Sequence, residues 1–164
     1  MRLPTMILAA ALLTSGLGHV MPASIALADG YQVNVDEHGL AIHGYDPVAY
    51  FTDGKAVAGK SELTAEHDGA TYRFASAAHR DAFIADPAKF LPQYGGYCAY
   101  GTSISKKFDG DPNAWKVVDG KLYLNFNPDV QRKWLEDVPG FIAKANTTWP
   151  EIKEKSPEVL NAQQ

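Results

Sequence analysis

Apolar and polar residues alternate on either side of two Asp-Gly dipeptides, and this alternation frames the chain. Asp68-Gly69 accepts positive φ at both centres of a two-residue turn, so it joins 63–67 to 70–74 as a β-hairpin. Pairing outward from that turn sets Ala65 opposite Tyr72 and Leu63 opposite Phe74 on a buried face. Thr64, Glu66, Thr71 and Arg73 then fall on the wet face. Asp119-Gly120 repeats the pattern between 115–118 and 121–126. There Trp115 lies across from Leu124 and Val117 across from Leu122.

Between and after the hairpins the period changes from two to 3.6. Ser76 is placed to cap a helix whose one face carries Ala78, His79, Ala82, Phe83 and Asp86, and Pro87 ends it by disfavouring helical geometry in the residue before it. Asp46 caps a shorter helix that has Pro47 at its first position and stops at Asp53-Gly54. Asn127 caps a third, with Val130, Trp134, Leu135 and Val138 as its apolar stripe and Pro139 as a break or kink. A further short helix presents Phe141, Ile142 and Ala145, with Trp149 closing the core. Residues 31–35 alternate weakly, as an edge strand does, and lead into a turn at Asp36-Glu37-His38-Gly39. Hairpins interleaved with helices, without a βαβ rhythm or repeats, predict a single α+β domain: a small antiparallel sheet with helices packed on it.

The first 28 residues change where that domain begins. Arg2, the apolar run 6–13 and the small-x-small triplet Ala26-Leu27-Ala28 read as a secretory signal cleaved after Ala28, too short to serve as a membrane span. A soluble periplasmic or secreted product is therefore expected, with a domain over 29–152 and a flexible tail over 153–164. Without the signal the chain carries 14 basic against 19 acidic residues, a net charge of −5, and its lysines are scattered. Nucleic acid and anionic membrane are poor partners for such a surface. All 18 aromatic residues fall after the signal, which predicts a dense, tyrosine-rich core rather than disorder.

The stretch from Asp68 to Gly101 concentrates the chemistry. A glycine turn followed by Tyr72-x-Phe74-x-Ser76, then Phe83 and Asp86-Pro87, resembles the YHS domain. Tyr45-Asp46-Pro47-Val48-Ala49 and Tyr94-Gly95-Gly96-Tyr97-Cys98-Ala99 are similar to the exported bacterial branch of that family, over about 39–149. The resemblance implies a small module, in some relatives associated with metals through cysteines. At the positions where the metal-associated members carry those cysteines this chain has Ala49, Ala75 and His79, and alanine offers no ligand atom.

Cys98 is the only cysteine, so an internal disulfide is impossible. In an oxidising compartment it is buried, bound or paired with another molecule. Three readings remain open. Cys98 and His79, with His43 as a third ligand, suit copper or zinc better than magnesium or calcium and would make a metal-binding module without catalytic activity. That reading needs the Cys98 sulfur and a His79 ring nitrogen to face one cavity, with Gly95-Gly96 letting the loop approach closely. Alternatively, the chain is a non-catalytic domain binding a protein or another ligand, with a structural cysteine. The third reading is a redox protein using Cys98 as a single reactive thiol. No catalytic signature is present, and the calcium-like DGDPN at 109–113 has Ala114 and Gly120 where such a loop needs glycine and glutamate.

Overall fold

The computed structural model describes residues 30–162, so the signal-like segment lies outside the described residues. Helices alternate with two antiparallel hairpins in a single α+β arrangement. In chain order the elements are α1 (Ala49–Thr52), β1 (Lys60–His67), β2 (Ala70–Phe74), α2 (Ala77–Ala85), α3 (Pro87–Phe90), α4 (Ala99–Ser103), β3 (Asp111–Val118), β4 (Lys121–Asn125), α5 (Pro128–Leu135), α6 (Val138–Ile152) and α7 (Pro157–Ala162). The hairpins form two separate two-stranded sheets, β1–β2 and β3–β4, where one sheet was expected.

Both hairpin turns form through the predicted dipeptides. Asp68 and Gly69 have φ of 49° and 75°, Asp119 and Gly120 of 50° and 71°, the left-handed pair that matches strand twist. In the second hairpin Trp115 pairs with Leu124 and Val117 with Leu122, as the pattern predicts. The first keeps Ala65 opposite Tyr72, but Phe74 pairs with Lys60 rather than Leu63. A bulge between Lys60 and Thr64 causes the slip. Gly59 lies so close to β2 that a Cβ there would come within 2.4 Å of the Arg73 carbonyl carbon, which draws the start of β1 inward and leaves the residues between to loop out.

β4 organises the interior. Leu122 and Leu124 enter one apolar cluster with Tyr50, Tyr72, Phe74 and Phe83, while Tyr123 on the opposite face enters a second with Tyr94, Trp134 and Ala145. Because successive side chains of a strand alternate faces, one strand buried on both sides serves both cores. Its outer edge receives single parallel bridges from Pro92 and Cys98, so the aromatic-glycine loop is laid along β4.

Two helices begin at the predicted caps. Ser76 accepts from the His79 amide and Asn127 from the Val130 amide, each opening its helix. On α2 only Phe83 is fully buried; Ala78 is exposed. Pro139 neither breaks nor kinks a helix: it sits in the first turn of α6, where its missing N–H costs nothing, and Asp137 caps that turn.

Both ends of the described chain depart from expectation. Residues 31–35 form no strand. Val35 makes one bridge to Ala41, and the Asn34 amide donates to the Gly95 carbonyl at 2.8 Å, since a loop turning through positive φ offers no continuous edge to pair with. The segment after Lys153 was expected to fray, yet it carries α7, whose Leu160 is buried. Asn161 and the Lys107 backbone exchange two hydrogen bonds of 3.2 and 2.8 Å, docking that end on the body.

Candidate functional site

His79 is positioned by a buried carboxylate. Asp46, fully buried, receives the Val48 amide at 2.8 Å on one oxygen, and the Ala75 amide at 2.8 Å and the His79 Nδ1–H at 2.6 Å on the other. One aspartate thus fastens the start of α1 to the end of β2 and the first turn of α2. A polar group can stand in an interior only when its hydrogen-bonding capacity is satisfied in this way. With Nδ1 committed, Nε2 points outward, 3.3 Å from the Thr52 hydroxyl and 3.8 Å from an Asp53 oxygen. The sequence marks Asp46 as the cap of a helix with Pro47 at its first position; α1 instead opens at Ala49 behind Val48, and Asp46 accepts from the Val48 and Ala49 amides from just ahead of it. Its second oxygen's work is invisible without the tertiary contact.

Cys98 has different surroundings. It is 0 % exposed, bridged to Leu124, and its amide donates to the Phe108 carbonyl. Its sulfur accepts from the Gly101 amide at 3.3 Å and lies 3.9 Å from the Asn125 amide oxygen. Burial pushes the thiol up from its ordinary value, against a smaller lowering by the Gly101, Phe126 and Tyr100 backbone amides. The hydrogen-bond partners of Cys98 and of His79 have no residue in common. The close approach that Gly95-Gly96 permits is made elsewhere: a Cβ at Gly95 would fall 1.8 Å from the Gln32 carbonyl oxygen.

His43 stands apart again, half-exposed at a φ of 51°, with Nε2 held at 2.8 and 3.0 Å by the two Asp109 oxygens. The structure therefore gives the three candidate ligands three sets of partners: Asp46, Thr52 and Asp53 for His79, Asp109 for His43, and Gly101 with Asn125 for Cys98. Among the described residues, no group of three or more His, Cys, Asp or Glu side chains is arranged to hold a metal ion. His79 and Asp53 alone fall short of the three or four protein ligands that zinc sites take.

Two features gave no sequence signal. Lys107, 1 % exposed, donates to the Tyr31, Lys153 and Lys155 carbonyls at 2.6, 2.6 and 2.9 Å, and its ammonium stands 4.9 Å from the Tyr97 ring centre and 5.2 Å from that of Trp149. Burial lowers it to about 8. The second feature is an open cleft of about 260 Å³ where Gln32 and Val33, Asp68 and Tyr72, Leu91, Pro92 and Gly95, and Trp149 converge. Its walls come from four distant parts of the chain, so no local pattern could announce it.

No helix among the described residues is long and apolar enough to cross a membrane. Compared with models of known protein families, with curated proteins and with solved structures, the chain matches none.

Proposed function

We propose that the chain is an exported, non-catalytic, YHS-like binding domain in which Cys98 is structural and the cleft beside Gly95 and Trp149 receives the ligand. The observation that carries this reading is the setting of Cys98: a fully buried thiol, held toward its neutral form by desolvation and with its sulfur already accepting a backbone hydrogen bond. A neutral, enclosed sulfur is a poor ligand and a poor nucleophile, which counts equally against the redox reading. Export rests on Arg2, the apolar run and Ala26-Leu27-Ala28, and N-terminal sequencing of the secreted product should begin near Asp29. The binding reading is tested by mapping amide shifts of wild-type and Cys98→Ala protein with small aromatic ligands. Perturbations centred on the cleft and equal in the two proteins support it; perturbations centred on Cys98, or absent from the variant, oppose it.

A second reading, binding of a borderline metal at His79, is favoured by one observation. A carboxylate holding Nδ1–H and leaving Nε2 outward is the way proteins orient metal-ligating histidines. Copper or zinc would then be held by His79 and Asp53, with further ligands from water or a partner. Elemental analysis of protein purified without chelator, repeated on His79→Ala, decides it. Metal present at one equivalent in wild type and lost in the variant would establish the site.

A further inference from the structure

We infer that the cleft selects a small organic ammonium ion: a protonated amine on a compact apolar body. This ligand class rests on the binding-domain reading above and deepens it. The walls are apolar at Val33, Leu91 and Pro92 and aromatic at Tyr72 and Trp149, and the one formally charged lining group is the Asp68 carboxylate. No lysine or arginine lines the cleft.

The charge that faces the cleft is a carboxylate. One N–H of the Gln32 side chain donates to Glu154 at 2.8 Å, which sets a second carboxylate beside that wall. Asp68 has one close side-chain partner, the Nε2 of its neighbour His67 at 3.3 Å, and its carboxylate stays largely open. Burial and the Asp68 charge push the Tyr72 hydroxyl well above its ordinary range, so it remains a protonated phenol.

Lys107 is buried behind the Trp149 wall, its ammonium 5.2 Å from that ring's centre. It does not line the cleft, and its three N–H bonds already go to Tyr31, Lys153 and Lys155, so it has none to offer an anionic ligand. An ammonium ion can donate to several acceptors at once and gains from carboxylate and aromatic surfaces together, whereas a carboxylate ligand would be opposed by the charge of Asp68. The volume lies just below the range of about 300–1,000 Å³ that houses drug-sized ligands, so the occupant is small.

The test is an amide-shift titration of the full exported chain with three near-isosteric probes: phenethylammonium, phenethyl alcohol and phenylacetate. Phenethylammonium is expected to shift the Val33 and Gly95 amides and the Trp149 indole and to bind about ten-fold more tightly than the alcohol. In Asp68→Asn that preference should vanish while alcohol binding is unchanged; asparagine accepts the positive φ of this turn, so the hairpin is kept, and an unaltered melting temperature verifies this. Alcohol or phenylacetate binding in the cleft as tightly as the ammonium, or an ammonium affinity indifferent to Asp68→Asn, overturns the inference while leaving the binding-domain reading in place. Failure of all three probes to perturb the cleft overturns both.

Discussion

Asp46 and Lys107 are the two charged side chains whose neighbours explain most about this protein. Asp46 satisfies donors from Val48, Ala75 and His79, so Asp46→Ala strands one buried and two partly buried donors. The expected loss is about 3 kcal/mol in urea unfolding, and a loss below about 1 kcal/mol would mean that the site relaxes or admits water. Lys107 gives a pH signature whose sign follows from linkage. Its folded value of about 8 lies below the unfolded 10.5, so between these values the unfolded chain holds a proton that the folded chain has released. Stability attributable to Lys107 therefore rises with pH across that window and is flat below it. Unfolding free energies measured on both sides of pH 8 should show the rise in wild type and not in Lys107→Met. A rise of equal size in the variant would assign it to other groups.

Among the elements, α7 is where local sequence and tertiary context disagree most. A charged, proline-containing end reads as a frayed tail because nothing local pays the entropy of ordering it. Leu160 is buried, and Lys106 and Lys107 reach its backbone and its neighbour Asn161. Removing residues 156–164 should cost about 2–3 kcal/mol, chiefly the burial of one leucine and the loss of these hydrogen bonds, read as a lower denaturation midpoint. An unchanged midpoint would show that the docked helix contributes nothing. The hairpins, by contrast, were legible because Asp-Gly turns and period-two alternation are local and mutually consistent, and the caps Ser76 and Asn127 because they act within three residues. The bulge before Thr64 was not, since it follows from Gly59 meeting Arg73 across the sheet. Pro139 misleads in isolation for a related reason: the same residue ends one helix or opens the next depending on whether a cap such as Asp137 precedes it.

At the scale of the whole molecule, β4 carries two cores, and Cys98 is laid against its edge. The sequence singles out Cys98, His79 and His43 because they are the residue types able to hold a soft metal. It cannot show which of them converge, since convergence depends on the path of the Gly95-Gly96 loop, and that loop spends its close approach on Gln32. The cleft and the Lys107 cage are likewise products of assembly, drawing walls or carbonyls from both ends of the described chain. The central claim, that Cys98 is a core residue and that binding happens elsewhere, is tested most directly by thiol labelling of the native protein across a range of denaturant. Labelling is expected to be negligible in buffer and to track global unfolding, with Cys98→Ala costing about 1 kcal/mol. A Cys98 thiol that labels in native buffer at the rate of a free cysteine would contradict it.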